Sequence, residues 1–321
     1  MINFLNPFNK QNLEIADESL NEGEKSVFKK INGSYRVLQT ETNYTENFGY
    51  QWNKFVKTQI DSKENEVSKT RFFAETKWDK EDLTGKNVLE VGSGAGRFSE
   101  VILNHTNANL YSVDYSNAVE ANFKNNGYHG KRFTLFQASI YDMPFAPGQF
   151  DKVLCIGVLQ HTPDFKQSVK SLVAQVKHGG ELVVDFYTVK GWWTKIHAKY
   201  LFRPFTKKMS HEKLLKKIQG NVDWMIKLYY FLYKIKLGVL TRFIPIVDIY
   251  GTLPYKALTA EQIKEWCILD TFDMYSPEHD HPQSINTVKK WVEEFGLKVT
   301  FAGFEKYDET NPPVVRAVKL N

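Results

Sequence analysis

Between residues 88 and 186 short apolar runs alternate with polar, helix-spaced stretches. Val88-Leu89-Glu90-Val91 leads into Gly92-Ser93-Gly94-Ala95-Gly96, and a helix follows over 98–103. The apolar run returns at 109–114, 133–138, 150–156 and 182–186, with helices predicted over 116–126 and 165–177. Gly179-Gly180 is expected to end the latter helix and turn the chain. Near-continuous apolar strands separated by helices predict an α/β fold with a doubly wound parallel sheet, covered on both faces.

The flanks read differently. Residues 1–40 are mixed, charged and weakly patterned, which predicts a loosely attached arm. Residues 43–52 are aromatic and polar together, and a polar helical stretch runs on to Trp78. After 188 the alternation stops. It returns at 284–296, a helix with Ser284 as N-cap and Gly296 as stop, and two strands follow at 299–304 and 314–318. The chain thus divides into an N-terminal helical arm and lid (1–84), a ligand-binding core (85–188), a helical insertion after the fifth strand (189–283) and a closing helix with two strands (284–321).

Charge sharpens the insertion. The 321 residues carry a net +5, too mild to argue for nucleic acid, and no RNA-binding module is recognisable. Residues 189–250 hold 13 Lys and Arg against Glu212, Asp223 and Asp248, a local +10 that leaves −5 for the rest. Aromatics such as Trp192, Trp193, Trp224 and Phe231 are interleaved. Long basic stems beside aromatic rings suit an anionic membrane surface or an anionic substrate. The alternative is a solvated helical cap whose aromatics form its own core. Cys155 and Cys267 each sit in an apolar stretch, so buried free thiols are expected and a cysteine zinc site is excluded. The N-terminus lacks the pattern of a signal peptide, and no uncharged run suffices to span a bilayer. The expected location is cytoplasmic, peripheral to the inner face of the membrane if the basic segment touches it.

The glycine turn carries the first chemistry. Glycines let a ligand pack against the backbone, and the following helix offers unpaired N–H groups. Asp114 ends the next strand, where an acid can accept both hydroxyls of a ribose. The spacing is Gly-x-Gly-x-Gly, with Arg97 where a dinucleotide fingerprint has its last glycine.

Residues 90–96, Asp114, Met143-Pro144-Phe145 and the run 157–164 with His161 together resemble the class I S-adenosylmethionine-dependent methyltransferases. The resemblance covers about residues 85–188 and implies the family's Rossmann-like, seven-stranded, mostly parallel sheet. It also implies S-adenosylmethionine as cofactor, held by Glu90, Gly92, Gly94, Gly96 and Asp114, with Gly157 opening the motif after the fourth strand. Ser139, followed by Ile140, stands where the family usually has an adenine-binding Asp. The stretch 43–52 with Arg71 looks like the start of methyltransferases encoded among surface-polysaccharide genes. There Tyr44 and Trp52 would close over the cofactor and Arg71 would pair with its carboxylate.

A sugar hydroxyl needs a general base to be methylated. His161, at the carboxyl edge of the sheet, is the first candidate; its alternative role is to pack beneath the cofactor. Asp270, Asp273, His279 and His281, in a polar, proline-bounded loop over 269–283, are further candidates for acid–base work and sugar recognition. Three ligands crowded at His279, Asp280 and His281 make a poor metal geometry, so no metal is expected. The expected acceptor is a small molecule, a sugar linked to a nucleotide or a lipid. Methylation of a lipid or quinone and a non-catalytic cofactor-binding subunit are the competing readings.

Overall fold

The computed structural model describes residues 2–40, 43–62, 65–189 and 191–320, with the side chains of Trp192 and Trp193 outside the described set. Its strands are β1 Phe4–Leu5, β2 Asn12–Ile15, β3 Ser19–Glu22, β4 Lys25–Ile31, β5 Ser34–Val37, β6 Asn87–Val91, β7 Asn109–Asp114, β8 Phe133–Ala138, β9 Phe150–Cys155, β10 Val176–Asp185, β11 Lys298–Phe304 and β12 Pro313–Val318. Its helices are α1 Glu46–Lys54, α2 Val67–Thr76, α3 Arg97–His105, α4 Val119–Asn126, α5 Phe165–Gln175, α6 Ala198–Thr206, α7 His211–Lys234, α8 Ile249–Thr252, α9 Ala260–Tyr275 and α10 Ile285–Glu294.

The described strands form one mixed sheet in the order β1-β2-β3-β4-β5-β8-β7-β6-β9-β10-β12-β11. From β5 through β10 neighbouring strands are parallel; the two ends are antiparallel. Alternate residues of each central strand face opposite layers. Leu89, Val153 and Val184 pack with α5 and α10, whereas Val88, Leu154 and Val183 pack with α3 and Phe72 of α2. Each fully buried aliphatic side chain of this kind stabilises the fold by about 1.5–3 kcal/mol. Ser284 caps α10 by accepting the Thr287 N–H at 3.0 Å, and Gly296 follows with φ +96°.

The sheet has twelve strands, not seven, and residues 4–37 are not a loose helical arm but five strands paired through β5 to β8. Phe4 packs on Phe136 and Phe145, and Tyr35 stacks on Phe136 at 5.5 Å. These strands escape sequence detection because β2, β3 and β4 each bury a single side chain, Leu13, Leu20 and Phe28. One buried residue per strand leaves no alternation to read. The predicted helix over 165–177 ends at Gln175; Gly179-Gly180 lies inside β10, where its register with β9 shifts. The predicted loop over 269–283 is helical as far as Tyr275. No described helix is long and apolar enough to cross a membrane.

Candidate functional site

The strand order reverses between β6 and β9, and the loops after both strands meet there. Such a switch point is where open α/β sheets bind ligands. A Cβ on Gly92 would stand 2.2 Å from Val158 Cγ2, so only a glycine lets the two loops approach this closely. Gly96, at φ +85°, is equally constrained: its Cβ would lie 2.2 Å from Asn122 Oδ1.

Asp114 holds this turn. Its Oδ2 accepts the Gly94 N–H at 2.7 Å, and its Oδ1 accepts the Ser116 N–H at 2.8 Å and hydroxyl at 2.6 Å. Burial raises its carboxyl against the pull of those bonds. Glu90, at the end of β6, accepts from the Ser112 hydroxyl at 2.7 Å and from Ser99. Its Oε1 is buried with no hydrogen-bond partner, and burial pushes its carboxyl up to about 7. An orphaned acceptor on Glu90, one spare lone pair on Asp114 Oδ2 and a glycine backbone make a wall that accepts hydrogen bonds. That wall fits S-adenosylmethionine, which brings a ribose diol, an ammonium group and a sulfonium. Ser139 accepts the Tyr141 N–H at 3.2 Å, and Ile140 is buried beside it. Gly157 donates its N–H to Asp185 Oδ1.

The segment 43–54 crosses this turn. Trp52 Nε1 lies 3.1 Å from where a Gly94 Cβ would stand. Tyr44 packs between the rings of Tyr115 and His279, at 5.5 and 5.3 Å. Asn43 donates to the Tyr115 carbonyl at 3.2 Å, and Asn53 to that of Asn117 at 2.9 Å. Gln51 Oε1 is buried without a partner.

Arg71 is held by the protein itself. Its Nε bonds Glu75 at 2.8 Å and its Nη2 bonds Asp185 at 2.6 Å. Burial works against the guanidinium charge, but Glu75, Tyr307 and Asp185 more than offset it. Burial, together with Asp185, pushes the Glu75 carboxyl upward. Nearby, Arg97 bonds Ser68 at 3.0 Å and Gln59 at 2.9 Å and lies over Trp266; burial and Arg71 push it down to about 10. Asp270 accepts from Gln59 at 3.3 Å, and burial with Asp273 raises it to about 7. Gln59 and Trp266 also line an open cleft of about 450 Å³.

His161 is enclosed by Phe48, Tyr187 and the loop after α9. Its Nδ1 lies 3.2 Å from the His279 carbonyl oxygen, which can only accept, so Nδ1 carries the proton. Nε2 is left as a buried lone pair without a hydrogen bond, 3.7 Å from Asp273 Oδ2. The Tyr187 hydroxyl donates to the same Asp273 oxygen at 3.1 Å. Burial lowers the His161 pKa, and Asp273 partly restores it.

The four candidates over 269–283 separate. Asp270 and Asp273 project from the last turns of α9 rather than from a loop, and only Asp273 reaches His161. His279 contributes its carbonyl. His281 is exposed, and its N–H bonds the Gln160 carbonyl at 2.8 Å. Asp280 turns away to Lys199 at 2.7 Å, so the trio His279, Asp280 and His281 does not converge. Sequence reasoning passed over Asp185, Glu75 and Tyr187. Asp185 gave the same signal as Glu90 and Asp114, an acid ending an apolar strand at the carboxyl edge. Glu75 and Tyr187 gave none.

The family model described as Methyltransferase domain matches residues 89–184. The ubiquinone biosynthesis O-methyltransferase of Coxiella burnetii is 32% identical over 126 residues, 37% of this chain and 53% of that protein. An uncharacterized protein of Synechococcus is 26% identical over 236 residues, 70% of this chain and 50% of that one. The chain therefore spans about half the length of these curated relatives. The crystal structure of the magnesium protoporphyrin IX methyltransferase of Synechocystis with bound SAH aligns with a TM-score of 0.47 at 15% identity, covering 86% of this chain and 96% of that one. Residues 89–184 thus match a methyltransferase domain.

Proposed function

We propose that this protein transfers the methyl group of S-adenosylmethionine to a hydroxyl of a small-molecule acceptor, with His161 as general base. The observation that carries this reading is the His161 Nε2 lone pair, buried, neutral and facing Asp273. The cofactor, when bound, supplies an electrophilic methyl on a sulfonium. Asp114 and the glycine turn hold its ribose end, Glu90 offers a free acceptor, and Tyr44 and Trp52 close over it. A hydroxyl held against Nε2 would give its proton to the imidazole, while the bound cofactor would supply the methyl group and leave as S-adenosylhomocysteine. Asp273 then stabilises the imidazolium, and Tyr187 keeps the carboxylate in place. The His279 carbonyl fixes the tautomer. Arg71 sets Glu75 and Asp185, and through Asp185 the Gly157 loop.

For the acceptor, a sugar hydroxyl of a nucleotide- or lipid-linked precursor is the reading that the 43–52 segment supports. A quinol or other lipid hydroxyl is the second reading, favoured by the name of the Coxiella relative. The test is release of S-adenosylhomocysteine when the purified protein and S-adenosylmethionine meet panels of nucleotide sugars and of quinols. Turnover with either panel, lost in His161→Ala while cofactor affinity holds, is expected. Cofactor binding without turnover on any hydroxyl acceptor would instead fit a non-catalytic partner subunit.

A further inference from the structure

The insertion does build a core of its own, but it does not use up its apolar side chains. Of the 22 large hydrophobics exposed among the described residues, 13 fall between Ile196 and Phe243. Helix α7 carries two apolar stripes. Leu214, Ile218, Val222, Met225 and Tyr229 are buried in the insertion. Trp224, Leu228, Phe231 and Ile235, at helical spacing on another side, are 47%, 37%, 54% and 43% exposed. Segment 235–243 extends the second stripe. Leu237 turns back onto α7 through its N–H bond to the Leu232 carbonyl at 2.8 Å, and Val239 is 69% exposed. Arg242 joins the segment to the start of α6 by a 2.6 Å bond to the Ile196 carbonyl, and on α6 Phe205 is 68% exposed.

The charge beside this patch says what covers it. Helix α7 holds five lysines against Glu212 and Asp223, a net +3, and Lys216, Lys227 and Lys234 flank the apolar stripe. A second copy meeting this face about a two-fold axis would set lysines against lysines. An anionic bilayer satisfies both halves, taking rings and aliphatic tips into the headgroup boundary and lysines to phosphates. We infer that the outer face of α6, α7 and segment 235–243 docks on an anionic lipid surface. The inference stands on this surface alone and does not need methyl transfer. It also has a consequence for the site. On α6, Lys199 grips Asp280, and Arg203 donates to the Pro277 carbonyl at 2.9 Å. Docking would therefore set the loop that carries His279 close to the membrane.

Flotation of the full chain with vesicles tests this. Binding is expected to phosphatidylcholine vesicles containing phosphatidylglycerol, not to phosphatidylcholine alone, and to fall at about 0.5 M salt. Trp224→Ser with Phe231→Ser, both at exposed positions, should weaken binding at least about tenfold. Lys227→Glu with Lys234→Glu should do the same, with thermal unfolding of both variants unchanged. Absence of binding to the anionic vesicles, equal binding to neutral ones, or unaltered binding by folded variants would overturn the inference. So would a concentration-dependent dimer that the same substitutions dissociate.

Discussion

The methyltransferase domain and the insertion use apolar residues in opposite ways. In the domain, both faces of the central strands are covered, and Val88, Leu89, Leu154 and Val183 are fully buried. Polar groups are left at its carboxyl edge, where Glu90, Asp114 and Asp185 end three strands. In the insertion, one stripe of α7 is covered and another is open. A layer closed on both sides can offer ligands only its edges. A helical cap closed on one side keeps a face for something else. The two meet at His161 from the domain and Asp273 from the insertion, 3.7 Å apart, where the proposed acceptor chemistry would take place.

Four substitutions would break or sharpen that contrast. His161→Ala should lower kcat by about 10²–10⁴-fold, measured as S-adenosylhomocysteine release, and leave cofactor affinity alone. An equal loss of cofactor affinity would place His161 beneath the cofactor instead. Asp114→Ala acts wholly within the domain and should weaken S-adenosylmethionine binding by roughly 100-fold in calorimetry, because the ribose loses a charged acceptor and the Gly94 N–H loses its partner.

Asp273→Asn tests the junction. Burial already lowers the His161 pKa, so the acid limb of kcat/KM should fall below the ordinary 6.5. Asp273 raises that pKa, so the asparagine variant should move the limb to still lower pH and lose about tenfold in rate. An unmoved limb would separate Asp273 from the base.

Asp270→Asn should act on stability rather than on rate or cofactor affinity. The Asp270 carboxyl rises from 3.8 to about 7 on folding, so the folded chain binds its proton more tightly. Its contribution is then full below pH 4 and is lost as pH rises through 7. Urea unfolding of the variant should lose that slope and exceed the wild type above pH 7 by up to about 4 kcal/mol. Parallel pH profiles would show that Asp270 does not titrate in this window.

What could be read from the chain alone follows from distance along it. The strand, the glycine turn and Asp114 lie within 88–114, and each gives a local signal. Arg71 was legible as a cation that could meet a carboxylate but not as one held by Glu75 and Asp185, since Asp185 lies 114 residues away. Helix α9 was hidden because apolar side chains such as Trp266, Cys267, Ile268 and Leu269 run consecutively around it and leave no stripe, while Pro277 and Pro282 make the stretch look like a loop. Tyr187 and Glu75 had no pattern of their own.

The sequence by itself determined the parallel core, the glycine turn after its first strand, the caps of α10 and the concentration of positive charge after β10. Those features depend on periodicity, on φ at glycine and on composition, all of which are local. Only the tertiary structure decided that residues 4–37 extend the sheet, that Asp273 rather than Asp270 faces His161, and which apolar side chains of α7 stay outside. Those outcomes depend on which surfaces meet, and a side chain's burial and its hydrogen-bond partner are properties of the contact rather than of the residue.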